Sequence, residues 1–225
     1  KKEVNLGYLD FSTPDRRGAV LKRELALNRR TAPSVYLRVV PITQEGGGEF
    51  ALEGQGGVAD WLLEMLRFPD DALLSRLAEC GALDERTMER FAAHIARFHD
   101  DADAVAGYDW PAAVARIARE NTDDLRAQAS AFDAREVEAV SAARDAMMLA
   151  CAQALGRQSA DVRHCHGDLH LGNAFLDSGE PTLFDCIEFD DFYATIPPLY
   201  DLAFLLMDLL ERGLPRLANR TLNAW

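Results

Sequence analysis

The 225-residue sequence predicts an α+β fold in two parts: a partial, sheet-bearing N-terminal lobe at 1–68 and a mainly helical C-terminal lobe at 69–225. Three observations predict it. β-Branched and aromatic runs broken by glycine clusters fill the first part. Apolar residues recur at helical spacing from 70 to 156, and the period turns strand-like again near 162, around one short hairpin.

Residues 1–6 read as the end of a strand. Ser12-Thr13-Pro14-Asp15 then starts a helix, with a hydroxyl cap, a proline in the first turn where its missing N–H costs nothing, and an acid beside it. That helix runs to about Arg30, and Pro33 marks its end. Val35-Tyr36-Leu37-Arg38-Val39-Val40 is a strand expected to stop at Pro41, which has no donor for a ladder. Gly46-Gly47-Gly48 and the glycines at 54–57 flank a short strand at 49–52, and another strand covers 58–66. A linker at 66–69 ends on Pro69, and the cleft between two such lobes is a usual place for a ligand.

Beyond the linker, Leu73, Leu74 and Leu77 give a helix at 70–79 that ends at Gly81. Asp84 caps a longer helix with Met88, Phe91, Ile95 and Phe98 on one face. Pro111 opens a third, with Val114, Ile117 and Leu125 inward. Asp133 with Glu136 is a capping-box pattern for a fourth, ending near Gly156. A strand follows at 162–165, and 174–176 with 182–184 form a hairpin around Asp177-Ser178-Gly179. The last helix, 198–211, is apolar on most sides and therefore expected to be buried.

Composition narrows the partners. With 24 basic and 37 acidic residues the chain carries a formal charge of −13, which repels phosphate backbones and anionic lipid, so neither nucleic acid nor a membrane surface is expected. The longest wholly apolar run, 202–207, is far short of a membrane span. Lys1-Lys2 leads to Asn5 and Asp10 rather than an apolar stretch, so no export signal is read, and the four cysteines have no C-x-x-C pair. Reduced thiols in a cytoplasm are the expectation. Three lysines against twenty-one arginines suggest a GC-rich bacterial gene, and a start on Lys suggests a fragment cut inside a fold.

The densest polar cluster is His164-Cys165-His166-Gly167-Asp168-Leu169-His170-Leu171-Gly172-Asn173, set between apolar strands where unpaired polar groups are costly. Two chemistries compete for it. A zinc hydrolase could draw ligands from His164, His166, Asp168 and His170, and H-x-H-x-D-x-H resembles a metallo-β-lactamase-like signature. In that signature, however, His directly follows Asp, and here Leu169 intervenes; adjacent strand residues also face opposite ways. Phosphoryl transfer fits better. His166, Asp168 and Asn173 have the H-x-D-x-x-x-x-N spacing of a kinase catalytic loop, and Asp185 follows the hairpin seventeen residues after Asp168. An acceptor hydroxyl needs a carboxylate to orient it and take its proton, Mg²⁺ needs hard oxygen ligands, and a hairpin brings its two ends together.

HGDLHLGNAFL with FDCIEFDD resembles the aminoglycoside phosphotransferase and choline kinase-like branch of the protein-kinase-like fold. The segments LDFST, LALNRR and YDLAFLLMDL are similar to an uncharacterised bacterial group of that branch, and the likeness runs from Leu9 to Asn223. It implies a two-lobe kinase-like fold and an ATP-dependent (or GTP-dependent), Mg²⁺-requiring transfer to a hydroxyl of a small molecule. Asp168 is then the catalytic base, Asn173 and Asp185 hold Mg²⁺, His166 packs the catalytic loop, and Asp201 hydrogen-bonds that loop from the following helix. Glu24, on the stripe with Val20, Leu21 and Leu27, is expected to pair the lysine that grips the ATP phosphates. The group is also one in which a P-loop kinase-type domain can follow; no Walker motif occurs in this chain.

Departures from the pattern matter too. No Gly-rich phosphate loop precedes Lys1, so the gripping residue is Lys1, Lys2 or one upstream; Lys2 joins Glu24 as the nucleotide-binding candidate, on the reading that the N-terminal lobe is truncated. That absence keeps a catalytically inactive kinase-like binding module as an alternative beside the hydrolase. The simplest reading of Asp201 alone is a helix N-terminal acid favoured by the dipole. Cys165 and Cys186 read as small buried hydrophobes, His164 and His170 as structural, and His94 and His99 receive no role.

Overall fold

A computed structural model describes residues 1–5 and 10–225. Leu6, the last of the six residues expected in a strand, and Leu9, the first of the LDFST segment, lie outside the described residues. The described part of that opening forms no strand. It has one bridge, Asn5 to Asp10, and one bond from the Phe11 N–H to the Val4 carbonyl.

Helix α1 (Pro14–Asn28) begins as its residues dictate: Thr13 is extended and its hydroxyl accepts the Arg16 N–H. Its buried face runs through Arg17, Leu21, Glu24 and Asn28, a helical stripe in which three of four side chains are polar. Buried polar groups on one stripe call for partners across the interface. Strands β1 (Tyr36–Gln44), β2 (Phe50–Leu52) and β3 (Gly57–Met65) form an antiparallel sheet in the order β2-β1-β3, and α1 packs on β1 and β3. Pro41 does not end β1, as expected, but lies inside it opposite Trp61. Its carbonyl accepts the Glu53 N–H just past the end of β2, so the missing donor faces a side where no ladder bond is lost.

The helix expected over 70–79 is broken. A single 3₁₀ turn (Asp70–Ala72) precedes an extended Leu73, which bridges to Phe175, before α2 (Leu74–Glu79) begins. Tertiary pairing of Leu73 overrides its local helical pattern. Helix α3 (Glu85–Asp101) is capped by Asp84, which accepts the Thr87 N–H at 2.7 Å, and buries Met88, Phe91, Ile95 and Phe98. Helix α4 (Trp110–Ala127) buries Trp110, Ala113, Ala118 and Thr122, while Val114, Ile117 and Leu125 are only half-buried. The fourth expected helix is two: α5 (Ala134–Ala150), capped by Asp133, and α6 (Ala152–Gln158), which continues past Gly156.

Two short ladders follow. Strand β4 (Arg163–His164) pairs with β7 (Thr195–Ile196), and β5 (Ala174–Asp177) pairs with β6 (Glu180–Leu183). The second hairpin turns on Ser178 and Gly179, both left-handed, as a two-residue turn between twisted strands requires. Helix α7 (Asp191–Ala194) leads through β7 into α8 (Pro198–Glu211). The expectation that α8 is the last helix fails: α9 (Pro215–Ala224) follows and packs on α3 and α8 through Leu217 and Ala218. The main core joins Leu169, Leu171 and Leu183 to the inward faces of α3 and α8, so the catalytic-loop segment is anchored by its own leucines. A second cluster of Ala32, Val35, Tyr36 and Phe175 ties the sheet side to the hairpin, with Phe68 stacked on Phe175 at 4.1 Å. No helix among the described residues is long and apolar enough to cross a membrane.

Candidate active site

The loop from Cys165 to Asn173 is irregular backbone in a buried place, and its amides must find partners. Asp201, fully buried in the first turns of α8, supplies two of them: its carboxylate accepts the His166 and Gly167 N–H groups, each at 3.0 Å. His99 on α3 donates a third bond from Nε2 at 3.0 Å, because its Nδ1 is occupied by the Trp225 indole N–H. Three donors on one buried carboxylate fix its position, and the loop folds around it. Gly167 has φ of +84°, and a Cβ there would lie 3.1 Å from the Tyr193 carbonyl oxygen. Only glycine meets both conditions without strain.

His166 links the loop to the hairpin. Its Nδ1 accepts the Asp168 N–H, so Nε2 carries the proton and donates to the Phe184 carbonyl at 2.9 Å. Burial holds this imidazole below its usual pKa, which suits a strut and not a proton carrier. Asp168 and Asn173 are brought together directly: Asn173 Nδ2 donates to the Asp168 carboxylate at 2.9 Å and to its carbonyl at 3.0 Å. Neither Asn173 Oδ1 nor Asp168 Oδ1 receives a hydrogen bond among the described residues. His170 Nε2 lies 3.5 Å from Asp168 Oδ2 while its Nδ1 accepts the Gly172 N–H; the Nε2–H acting as a donor is the main influence that holds the Asp168 carboxyl below the usual range, against the opposing effect of partial burial. Asp208, a residue the sequence reading missed, accepts the Leu171 N–H at 2.9 Å and steadies the far side of the loop.

Asp185 stands two residues beyond the β5–β6 ladder, next to Phe184, whose N–H meets the Asn173 carbonyl at 3.0 Å, so the hairpin brings the backbone at 173 close to the segment that carries Asp185. Asp185 is left-handed, with φ of +61°. Its N–H donates to the Tyr36 hydroxyl at 3.1 Å, and the next N–H, of Cys186, donates to Asn28 Oδ1 at 3.0 Å. Burial, and then the Glu188 charge, push the Asp185 carboxyl up. Glu24 meets its lysine, but that lysine is Lys1 and not Lys2. Lys1 Nζ lies 2.7 Å from both Glu24 and Glu188, while Lys2 is exposed and forms no ion pair among the described residues. Successive residues of an extended chain face opposite ways, so a Lys1 turned toward α1 sends Lys2 to solvent. Burial alone would lower the Lys1 pKa; its two carboxylates outweigh that and raise it.

The zinc arrangement does not form. His164 turns to Asp191 at 2.7 Å, His166 to Phe184 and His170 to Asp168, so the four proposed ligands do not gather round one point. Cys165 and Cys186 are buried, and burial raises both thiols, Cys186 to about 11. His99, given no role in the sequence reading, proves to be a buried support of Asp201.

A profile of the phosphotransferase enzyme family matches residues 23–225. The chain belongs to that family. The chain is also similar to uncharacterised proteins of Mycobacterium bovis and Mycobacterium tuberculosis, 30% identical over 222 aligned residues that cover 93% of this chain. It spans 41% of the length of those curated relatives. The mixed architecture, a small sheet packed by one helix beside a mostly helical remainder, is the kinase-like fold of that family. Its donor set suits a magnesium ion: one amide oxygen and carboxylates, all hard ligands, with the Asn173 oxygen left open.

Proposed function

We propose that this chain transfers the γ-phosphoryl group of Mg·ATP, or of Mg·GTP, to a hydroxyl of a small molecule. The observation that supports the reading is the Asp168–Asn173 hydrogen bond, which leaves Asp168 Oδ1 and Asn173 Oδ1 without a partner among the described residues, at the base of the hairpin that leads to Asp185. Residues 1–68 would form one wall of the nucleotide crevice and 69–225 the other, in a protein of the cytoplasm.

Magnesium bound there would neutralise charge on the phosphates as the transfer proceeds. Asn173 Oδ1 and the Asp185 carboxylate are the groups that would hold it. Lys1, kept protonated and aimed by Glu24 and Glu188, would grip phosphate oxygens. Asp168, held ionised by His170, would accept a hydrogen bond from the acceptor hydroxyl at Oδ1. A bond forms between the acceptor oxygen and the γ-phosphorus, the bond from that phosphorus to the β–γ bridging oxygen breaks, ADP departs, and the hydroxyl proton passes to Asp168. Positioning and charge neutralisation do the work, with no covalent enzyme intermediate.

The test is an ATP-consumption screen over hydroxyl metabolites and antibiotics with the unsubstituted protein and Asp168→Asn. Loss of about 10²–10⁴-fold in turnover with folding intact is expected, the range of a general base. Full turnover in Asp168→Asn ends the assignment.

A further inference from the structure

Asn28 and Tyr36 lie on the sheet side of the molecule, yet both spend their side-chain oxygens on the backbone of the segment that begins at Asp185. Tyr36 Oη takes the Asp185 N–H at 3.1 Å and Asn28 Oδ1 takes the Cys186 N–H at 3.0 Å. Both side chains are completely enclosed. Asn28 is itself fixed, since its Nδ2 donates to the Glu24 carbonyl one turn back on α1. Asp185 between them is a non-glycine residue at φ of +61°, a region that aspartate enters more readily than most residues but that still costs backbone energy. The two bonds to Tyr36 and Asn28 fix the backbone there.

From this we infer that Asn28 and Tyr36 are positioning residues for the metal site: they hold Asp185 left-handed, with its carboxylate turned to the side where Asn173 Oδ1 is open. The inference rests on the proposed role of Asp185 as a magnesium ligand. It also links two parts of the machinery. Glu24 and Asn28 sit four residues apart on the buried face of α1, one gripping Lys1 and the other the Asp185 segment. A shift of α1 therefore moves the phosphate-gripping lysine and the metal carboxylate together. Buried amides released from such bonds do not find other partners, so the segment would relax toward ordinary backbone angles once either oxygen is removed.

Mn²⁺ with ADP is the probe, its binding read from the EPR signal of the free ion, so no turnover is needed. Tyr36→Phe, which removes one oxygen and keeps the ring, is expected to weaken Mn²⁺–ADP binding about tenfold, the factor one buried hydrogen bond represents. Asn28→Leu should weaken it at least as much, and amide exchange over 184–188 should quicken in both while 166–173 keeps its protection. Leu205→Ala, a core change in α8, controls for general destabilisation and should leave the affinity unmoved. If the unsubstituted chain binds no Mn²⁺–ADP, the phosphotransferase site as proposed fails. If it binds and Tyr36→Phe binds within twofold of it, or Leu205→Ala weakens binding equally, only the positioning role is overturned.

Discussion

Replacing Asp201 separates two accounts of this residue by magnitude. As a helix N-terminal acid alone it would contribute about 0.3–1 kcal/mol through the dipole. In the structure it is fully buried and accepts three bonds, from the His166 and Gly167 amides and from His99, each at 3.0 Å. Asp201→Ala leaves those donors without an acceptor, and each stranded buried donor costs about 1–3 kcal/mol, so roughly 4 kcal/mol or more should be lost. That is a large share of the 5–15 kcal/mol typical of a whole domain. Asp201→Asn keeps one acceptor oxygen but sets an NH₂ group against an N–H, for an expected loss of roughly 2 kcal/mol. Urea unfolding at pH 7, followed by circular dichroism with the slopes compared, reads both values. Asp201→Ala falling within about 1 kcal/mol of the unsubstituted chain would refute the network and return Asp201 to the dipole account.

Gly167→Ala should destabilise by about 1–3 kcal/mol, because a left-handed φ of +84° and contacts at 3.0–3.1 Å leave no room for a methyl group; a thermal melt checks this. The Asp168–His170 contact should show in the pH dependence of stability. The lowered Asp168 pKa contributes stability above the ordinary carboxylate value that is lost as pH falls through the folded one; the raised His170 pKa contributes stability below the ordinary imidazole value that is lost as pH rises through the folded one. The pH-dependent part of the cost of His170→Ala should therefore peak between about pH 4 and 6.5, shrink by pH 9 and stay under about 1 kcal/mol because both groups are substantially exposed, on top of a constant cost from the lost bond to the Gly172 N–H. Denaturation at pH 5.5 and pH 9 measures it, and an equal cost at both pH values would contradict the pairing.

What was legible in the sequence was local. The spacing of His166, Asp168 and Asn173, the Ser178-Gly179 turn, and the Asp84 and Asp133 caps are encoded within a few residues, and they formed where read. Helix α9 is also encoded locally, by a proline start and the apolar positions 214, 217 and 218, beyond the helix expected to be the last. Leu73 and Pro41 were misread because distant partners, Phe175 and Glu53, decide their backbone. Nothing near Asn28 or Tyr36 announces that they hold residues 185 and 186, and nothing near His99 announces Asp201 and Trp225. Such partners lie a hundred or more residues apart, and the local hint is polar side chains at helical spacing on the face that carries Leu21, as Glu24 and Asn28 are on α1. That Lys1 and not Lys2 pairs with Glu24 likewise depends on which way an extended chain faces α1.

Calorimetric titration with ATP, in the presence and absence of Mg²⁺, puts the metal-dependent nucleotide site to the most direct test. Binding that requires Mg²⁺ and weakens tenfold or more in Asp185→Asn is the predicted result. No binding, or binding of equal strength without Mg²⁺ and in Asp185→Asn, would contradict it.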